Sequence, residues 1–373
     1  MKKERRKLSK KEIAITITII ILGLVIAAAL WIFVIDKEPE EKKVQKEKKE
    51  PPIVEEPEKK LTVVNEDSNQ RPIAVMIDNN IGNGRHAGLQ ESYINYEIIV
   101  EGGLTRIMAI FKDKNVSLIG PVRSSRHYFL DYALESDTIY AHYGWSTYAQ
   151  NDISALGVNN INGLYDAAPF WRDTTIAAPH NVFTTTEKLY AYASQKGYQT
   201  TTENWKLLNY TTEEVNLNEP VSTTTTINPE TGQEEEIPVA KEGLLTANSI
   251  SIPYSYYQTR SYTYDATRKV YLRYMNDTPH IDKVTGQQLY YKNIIIEKVR
   301  NYQLDSAGRQ DLDTVGTGEG YYITNGYALP IHWTKSGRSA KTVYTYSDGS
   351  EVEINDGNTF VQIMPSSYSP TIS

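Results

Sequence analysis

Arg123, Ser124, Ser125, Arg126 and His127 occupy five consecutive positions directly after Gly120-Pro121-Val122. Guanidinium offers planar, two-point hydrogen bonds to phosphate or carboxylate, and a helix N-terminus offers free N–H groups. An apolar run at 116–119 precedes the cluster, and a helix-like stretch, Tyr128 to Glu135, follows it. Basic and hydroxyl side chains thus gather where a strand ends and a helix begins, a place suited to an anion. The structural alternative is that Arg123 and Arg126 pair with Asp131 and Glu135 along one face. Arg106 opens a further apolar run, Ile107 to Phe111, and the polar loop 112–115 reads as the connection between two adjacent strands, 107–111 and 116–119. Another run, Thr138 to Tyr143, ends at Gly144-Trp145.

Further candidates lie outside this stretch. Asp78 closes the short apolar strand Ile73 to Ile77, and the C-terminal ends of strands in α/β sheets are favoured ligand positions; the alternative is a turn or capping residue. Glu101 stands ahead of two glycines and either pairs with Arg106 or meets a ligand. Arg172, Asp173 and His180 are polar residues in loop-like sequence, where functional groups often sit. His180 has the chemistry of a general base or metal ligand, and equally of a loop-fixing hydrogen-bond group. Asp78, and His280 with Asp282, offer weak metal half-sites. Apart from those, no metal ligand set and no resident cofactor is expected. Gly316, Gly318 and Gly320 lack the Lys-Ser/Thr of a phosphate loop.

The elements that must position these residues follow from composition. The chain has 373 residues and a formal charge of −7. Residues 1–12 carry +5, which leaves −12 for the rest and argues against a nucleic-acid partner. There is no cysteine, so disulfides and thiol catalysis are excluded. Residues 13–35 are apolar and uncharged, long enough for a single transmembrane helix. The basic flank places the N-terminus in the cytoplasm and the remainder outside the cell membrane. A cleaved signal peptide is the rival, with Ala27-Ala28-Ala29 as its cleavage site, but Leu30 to Ile35 continue the apolar run.

Residues 36–70 read as a Lys/Glu/Pro-rich tether. An α/β (α+β) domain with a mixed sheet is expected over 71–210, with short helices at Ala87 to Tyr93, Tyr148 to Leu156 and Glu187 to Lys196. Residues 211–242 read as a Thr/Glu-rich linker. A mostly β domain is expected over 243–365, followed by a tail at 366–373.

The runs RPIAVMIDN (71–79), EGGLTR (101–106), IGPVRSSRHYF (119–129), FWRD (170–173) and APHN (178–181) resemble the N-terminal domain of the YerB-like family of bacterial envelope lipoproteins. YYITNGYALPIHWTKS (321–336) and DGSEVEINDGNTFVQIMP (348–365) resemble its C-terminal domain. The resemblance implies an extracytoplasmic, membrane-attached protein and no particular reaction. Those lipoproteins attach through a lipidated cysteine, which is absent here, so the helix at 13–35 is expected to replace it. A second resemblance, to the LytR-CpsA-Psr phosphotransferases, implies that Arg106, Arg123 and Arg126 hold a pyrophosphate and that Asp78 or Glu101 holds Mg²⁺. The Pro-Arg-Asp run of that family is here Pro121-Val122-Arg123-Ser124. The expected function is therefore an envelope protein binding an anionic glycolipid or a wall protein through its arginines. The alternatives are a phosphotransferase or hydrolase on a pyrophosphate-linked glycan, or a metal-dependent enzyme.

Overall fold

Five strands of the first sequence half build the part of the fold that carries Asp78. They are β1 (Ile73–Asp78), β2 (Ile94–Ile99), β3 (Thr105–Phe111), β4 (Ile139–His142) and β5 (Asn160–Asn162). β1, β2 and β3 are buried on both faces, which is why they read as continuous apolar runs and not as alternating ones. β1 pairs antiparallel with β3 and parallel with β4. The β1/β3 register sets Ile73 against Phe111 and ends with Asp78 against Arg106. The computed structural model describes residues 9–35 and 59–373, so residues 36–58 of the expected tether lie outside the described residues.

The sheet continues into the second half of the chain. Its order is Leu245–Thr246, Tyr327–Lys335, Gly316–Thr324, Asn293–Val299, Thr359–Pro365, β2, β3, β1, β4, β5, with Val343–Thr345 added on Tyr327–Lys335. Thr359–Pro365 runs parallel to β2, from Ile94 against Thr359 to Ile98 against Ile363. The sheet is therefore mixed. A second, antiparallel sheet is built on Ser249–Ser255, Gln258–Asp265 and Val270–Met275. In Ser249–Ser255 buried and more exposed residues alternate, the period expected of a strand with one face on a core. Tyr254 fixes it to the main sheet, donating its hydroxyl to Glu97 O at 2.9 Å and to Gln362 Oε1 at 3.0 Å. The C-terminal stretch contributes as well: Thr371–Ile372 pairs with Ser249–Ser255.

Helices are few. α1 (Lys10–Ile35) is long and apolar enough to cross a membrane, and its side chains stand exposed through Ile32, Trp31 at 70%. α2 (Phe129–Ala133) is one short turn, α3 spans Thr147–Ala155 and α4 spans Thr186–Gln195. Ser146 and Thr185 cap α3 and α4 by accepting the amides of Ala149 and Lys188.

Several expectations need correction. Residues 116–119 are not a strand beside 107–111, because both edges of β3 are already taken by β1 and β2. Ile119 bridges Thr184 instead. Ala87 to Tyr93 is not helical: Ala87 exchanges both backbone hydrogen bonds with Gly120. The glycines at 316, 318 and 320 lie in a strand, where a Cβ on Gly318 would strike the Trp333 ring and one on Gly320 would strike Ile296 O. Within 211–242, Ser222–Ile227 and Glu234–Val239 form an exposed hairpin. Residues 59–70, expected in the tether, pack against the fold: Val63 and Val64 are buried, and Asp356 accepts the amides of Thr62 and Val63.

Candidate functional site

The site forms where residues 119–125 thread past the end of β1. Asp78 N donates to Pro121 O at 2.8 Å, Arg123 N to Met76 O at 2.9 Å and Val122 N to Val182 O at 2.7 Å. Tyr143 N donates to Arg123 O and Ser125 N to Gly144 O, both at 2.9 Å. The arginine run is thus stitched to the 182–184 segment and to the stretch after β4. Gly120 has φ 147°, and a Cβ there would lie 2.7 Å from Val182 O, so this approach requires glycine.

Asp78 is 3% exposed and is the hub. Its Oδ2 lies 2.5 Å from His180 Nδ1 and 3.1 Å from Arg123 Nε. The Arg123 contact is an ion pair without hydrogen-bond alignment, and Nε remains a buried donor without a hydrogen-bonded partner. Because a carboxylate only accepts, His180 donates from Nδ1, and its Nε2 carries the lone pair when the ring is neutral. His86 Nε2 donates to the Asp78 carbonyl at 2.6 Å and fixes the backbone from below.

Arg106 is buried beside this pair and donates to Ser124 O at 2.6 Å. Its pKa is pushed down to about 10, first by burial and then by the positive charges of Arg126 and Arg123, with Glu101 and Asp78 opposing. Arg126 makes a two-point bond to Glu101, at 2.6 and 2.7 Å. Burial pushes the Glu101 carboxyl up, but those bonds and the Arg126 charge outweigh it and hold it below the usual range. Glu101 is presented by the β2–β3 turn, in which Gly102 and Gly103 have φ of 68° and 70°. Three guanidinium groups thus converge on two carboxylates.

The ion pairs differ from those the sequence suggested. Arg123 pairs with Asp78, and Arg126 takes the Glu101 expected for Arg106. Asp131 and Glu135, the alternative partners, belong to Arg338 and Lys335. Ser124 joins the site through its carbonyl, while its hydroxyl donates to Tyr143 O at 3.1 Å. Arg172 borders the site, donating to Asn181 Oδ1 at 2.6 Å with its guanidinium 5.0 Å from the Tyr143 ring centre.

Four candidates are placed elsewhere. His127 meets Asp311 at 2.9 Å. Asp173 accepts from Thr175 N and Oγ1 and lies 3.6 Å from Lys283. His280 is fully buried against His86, Nε2 to Nδ1 at 2.7 Å, while Asp282 caps its own turn at Val284 and Thr285. Burial lowers the pKa of both imidazoles, His86 to about 4. Among the described residues no group of three or more His, Asp or Glu side chains is arranged to hold a metal.

Sequence reasoning missed the polar network behind the site. Asn79 donates to Glu97 Oε1 and Thr105 Oγ1, and Glu97 is held by Arg260 and Arg273 at 2.6 and 2.5 Å. Burial raises the Glu97 pKa, but the two arginines outweigh it and hold the carboxyl below its ordinary range. A signal existed: a carboxylate inside a strand buried along its whole length requires a buried cation.

Comparison with known proteins agrees with this architecture. Residues 61–199 match the model described as Protein of unknown function (DUF3048) N-terminal domain, and residues 250–361 match its C-terminal domain. The putative lipoprotein YerB of Bacillus subtilis (strain 168) is 28% identical over 306 residues, covering 82% of this chain and 84% of YerB. The crystal structure of YerB from Bacillus subtilis superposes with a TM-score of 0.68 at 26% identity, over 83% of this chain and 96% of that one. The two matched stretches share the mixed sheet described above, and the chain belongs to the YerB-like family of DUF3048 proteins.

Proposed function

We propose that this chain is a membrane-anchored cell-envelope protein whose extracytoplasmic part binds an anionic, phosphate-bearing envelope component at Arg106 and Arg123. The observation that carries the reading is the excess of guanidinium over carboxylate around Arg106, whose protonated form is disfavoured by burial and by two like charges. An anion seated there relieves that repulsion and meets planar donors suited to phosphate. α1 supplies the anchor, and the basic residues before it keep the N-terminus in the cytoplasm.

The test is thermal unfolding of the full-length chain in detergent micelles with methylenediphosphonate, a pyrophosphate analogue that resists hydrolysis. Ligand at 100 times its dissociation constant adds about 2.7 kcal/mol of stability. The expected result is a rise in Tm that survives EDTA and is lost in Arg106→Ala/Arg123→Ala. The absence of any rise in wild type sinks the reading and directs attention to a wall protein as partner, to be sought by crosslinking.

A further inference from the structure

We infer that the same site is catalytic, with His180 as the general base for attack of water on a phosphoanhydride held by Arg106 and Arg123. The inference rests on the anion-binding reading and goes beyond it in assigning a reaction. His180 is oriented by the nearly buried Asp78 through a 2.5 Å hydrogen bond at Nδ1, and its side chain is 29% exposed. Nε2 makes no hydrogen bond among the described residues, and its lone pair is uncommitted. The same Asp78 oxygen holds Arg123 at 3.1 Å, so imidazole and guanidinium are set side by side. Apart from its ion pair with Asp78, the Arg123 guanidinium has no partner among the described residues: it makes no hydrogen bond, and its Nε is a buried donor without a hydrogen-bonded partner. A base with an oriented lone pair therefore sits next to a cation that is ion-paired but makes no hydrogen bond, the geometry that activates a nucleophile beside developing negative charge.

The substrate class follows from what the site lacks. Among the described residues, His180 is the side chain here whose acceptor nitrogen is left uncommitted. Arginines keep their protons, the Ser124 hydroxyl is committed to Tyr143 O and Asp78 is committed to His180 and Arg123. Among the described residues, no second group is placed to protonate an alkoxide. A phosphate leaving group needs no such proton, and its charge is met by guanidinium. In the step, Nε2 takes a proton from water and the water oxygen bonds to phosphorus. The P–O bond to the bridging oxygen breaks, that oxygen keeps the electron pair, and the imidazolium then returns its proton to solvent. One water is consumed and two phosphate groups result. His180 is the catalytic residue, and Asp78 is a positioning residue.

The experiment uses the full-length chain in detergent micelles with two pyrophosphate diesters, UDP-N-acetylglucosamine and citronellyl-pyrophosphoryl-N-acetylglucosamine. The readout is release of monophosphate. Turnover of either supports the inference, and the arm that turns over identifies a nucleotide or a lipid carrier. In His180→Gln, kcat should fall roughly 10²–10⁴-fold, as for loss of a general base, while KM and methylenediphosphonate binding persist. Exogenous imidazole should restore part of the rate in His180→Ala, which a purely structural histidine would not allow. If wild type binds methylenediphosphonate but releases no monophosphate from either diester, or if His180→Gln turns over normally, the inference is overturned and anion binding stands. If methylenediphosphonate does not bind and neither diester is turned over, both fail.

Discussion

Two carboxylates, each facing two basic side chains, meet opposite fates in this molecule. Glu97 with Arg260 and Arg273 is wholly buried, all three side chains 0% exposed. Its oxygens also accept from Asn79 and Thr105, and Arg260 reaches Gln258 and Thr259 O as well. Asp78 is itself nearly buried, but its partners Arg123 and His180 reach the protein surface, their side chains 25% and 29% exposed. Part of its donor and acceptor capacity faces outward. The same residue types make a structural joint in one place and a ligand site in the other. What separates them is access to solvent, since a buried guanidinium Nε without a hydrogen-bonded partner occurs in both, on Arg273 and on Arg123.

The strongest way to break the comparison is Glu97→Ala. It leaves two buried guanidinium groups without their counter-charge and should cost about 3–5 kcal/mol, as removal of one partner from a buried ion pair does. Urea unfolding measures it, and an unchanged midpoint would show that the joint contributes little. Asp78→Asn, in contrast, should leave the midpoint nearly in place while abolishing the His180 function.

A third carboxylate sharpens the point. Glu297 is buried like Glu97, but it is held by the hydroxyls of Tyr344 and Tyr132 and not by a guanidinium. Burial raises its pKa from 4.5 to about 7. The folded state then binds more protons than the unfolded between those values, so this group's contribution to stability is lost as pH rises from about 4.5 to about 7. Relative to wild type, Glu297→Gln should gain on the order of 3 kcal/mol across that window. His86, lowered by burial to about 4, works in the opposite direction and cancels in the comparison of the two proteins. A flat difference between pH 4 and 8 would refute the assignment.

Smaller effects belong to the surface site. Arg106→Ala should weaken methylenediphosphonate binding roughly 10–100-fold, the value of one charge-assisted hydrogen bond, with less loss of stability than Glu97→Ala. Titration calorimetry reads the first and urea unfolding the second. Gly102→Ala forces a side chain into the left-handed region at φ 68° with no atom within 4 Å, so the strain alone should cost about 1–2 kcal/mol. Binding should follow only to the extent that Glu101 moves away from Arg126.

Much of the site was legible locally. Strand β1 with Asp78 at its end and Arg106 at the start of β3 appear as expected, because apolar runs and their polar punctuation are local signals. His180 was visible as a polar residue in a loop, but its bond to Asp78 spans 102 positions and has no local mark. His127 and Asp173 looked equivalent to Arg123 and Arg172 in sequence, yet they face Asp311 and Thr175. Neighbours in an irregular segment point in directions that backbone pairing elsewhere decides.

The amino-acid order alone determined the apolar N-terminal helix, the β-rich second half and the family to which the chain belongs, because each depends on composition, periodicity or contiguous motifs. Only the tertiary structure decided that Thr359–Pro365 pairs with β2 and carries the sheet across both halves. It alone decided that Glu97 meets Arg260 and Arg273, that His86 meets His280, and that Arg126 and not Arg106 takes Glu101. These are pairings between segments far apart in the chain. Their energies come from burial and from satisfying charges in a low-dielectric interior, and both exist only once the segments concerned have packed.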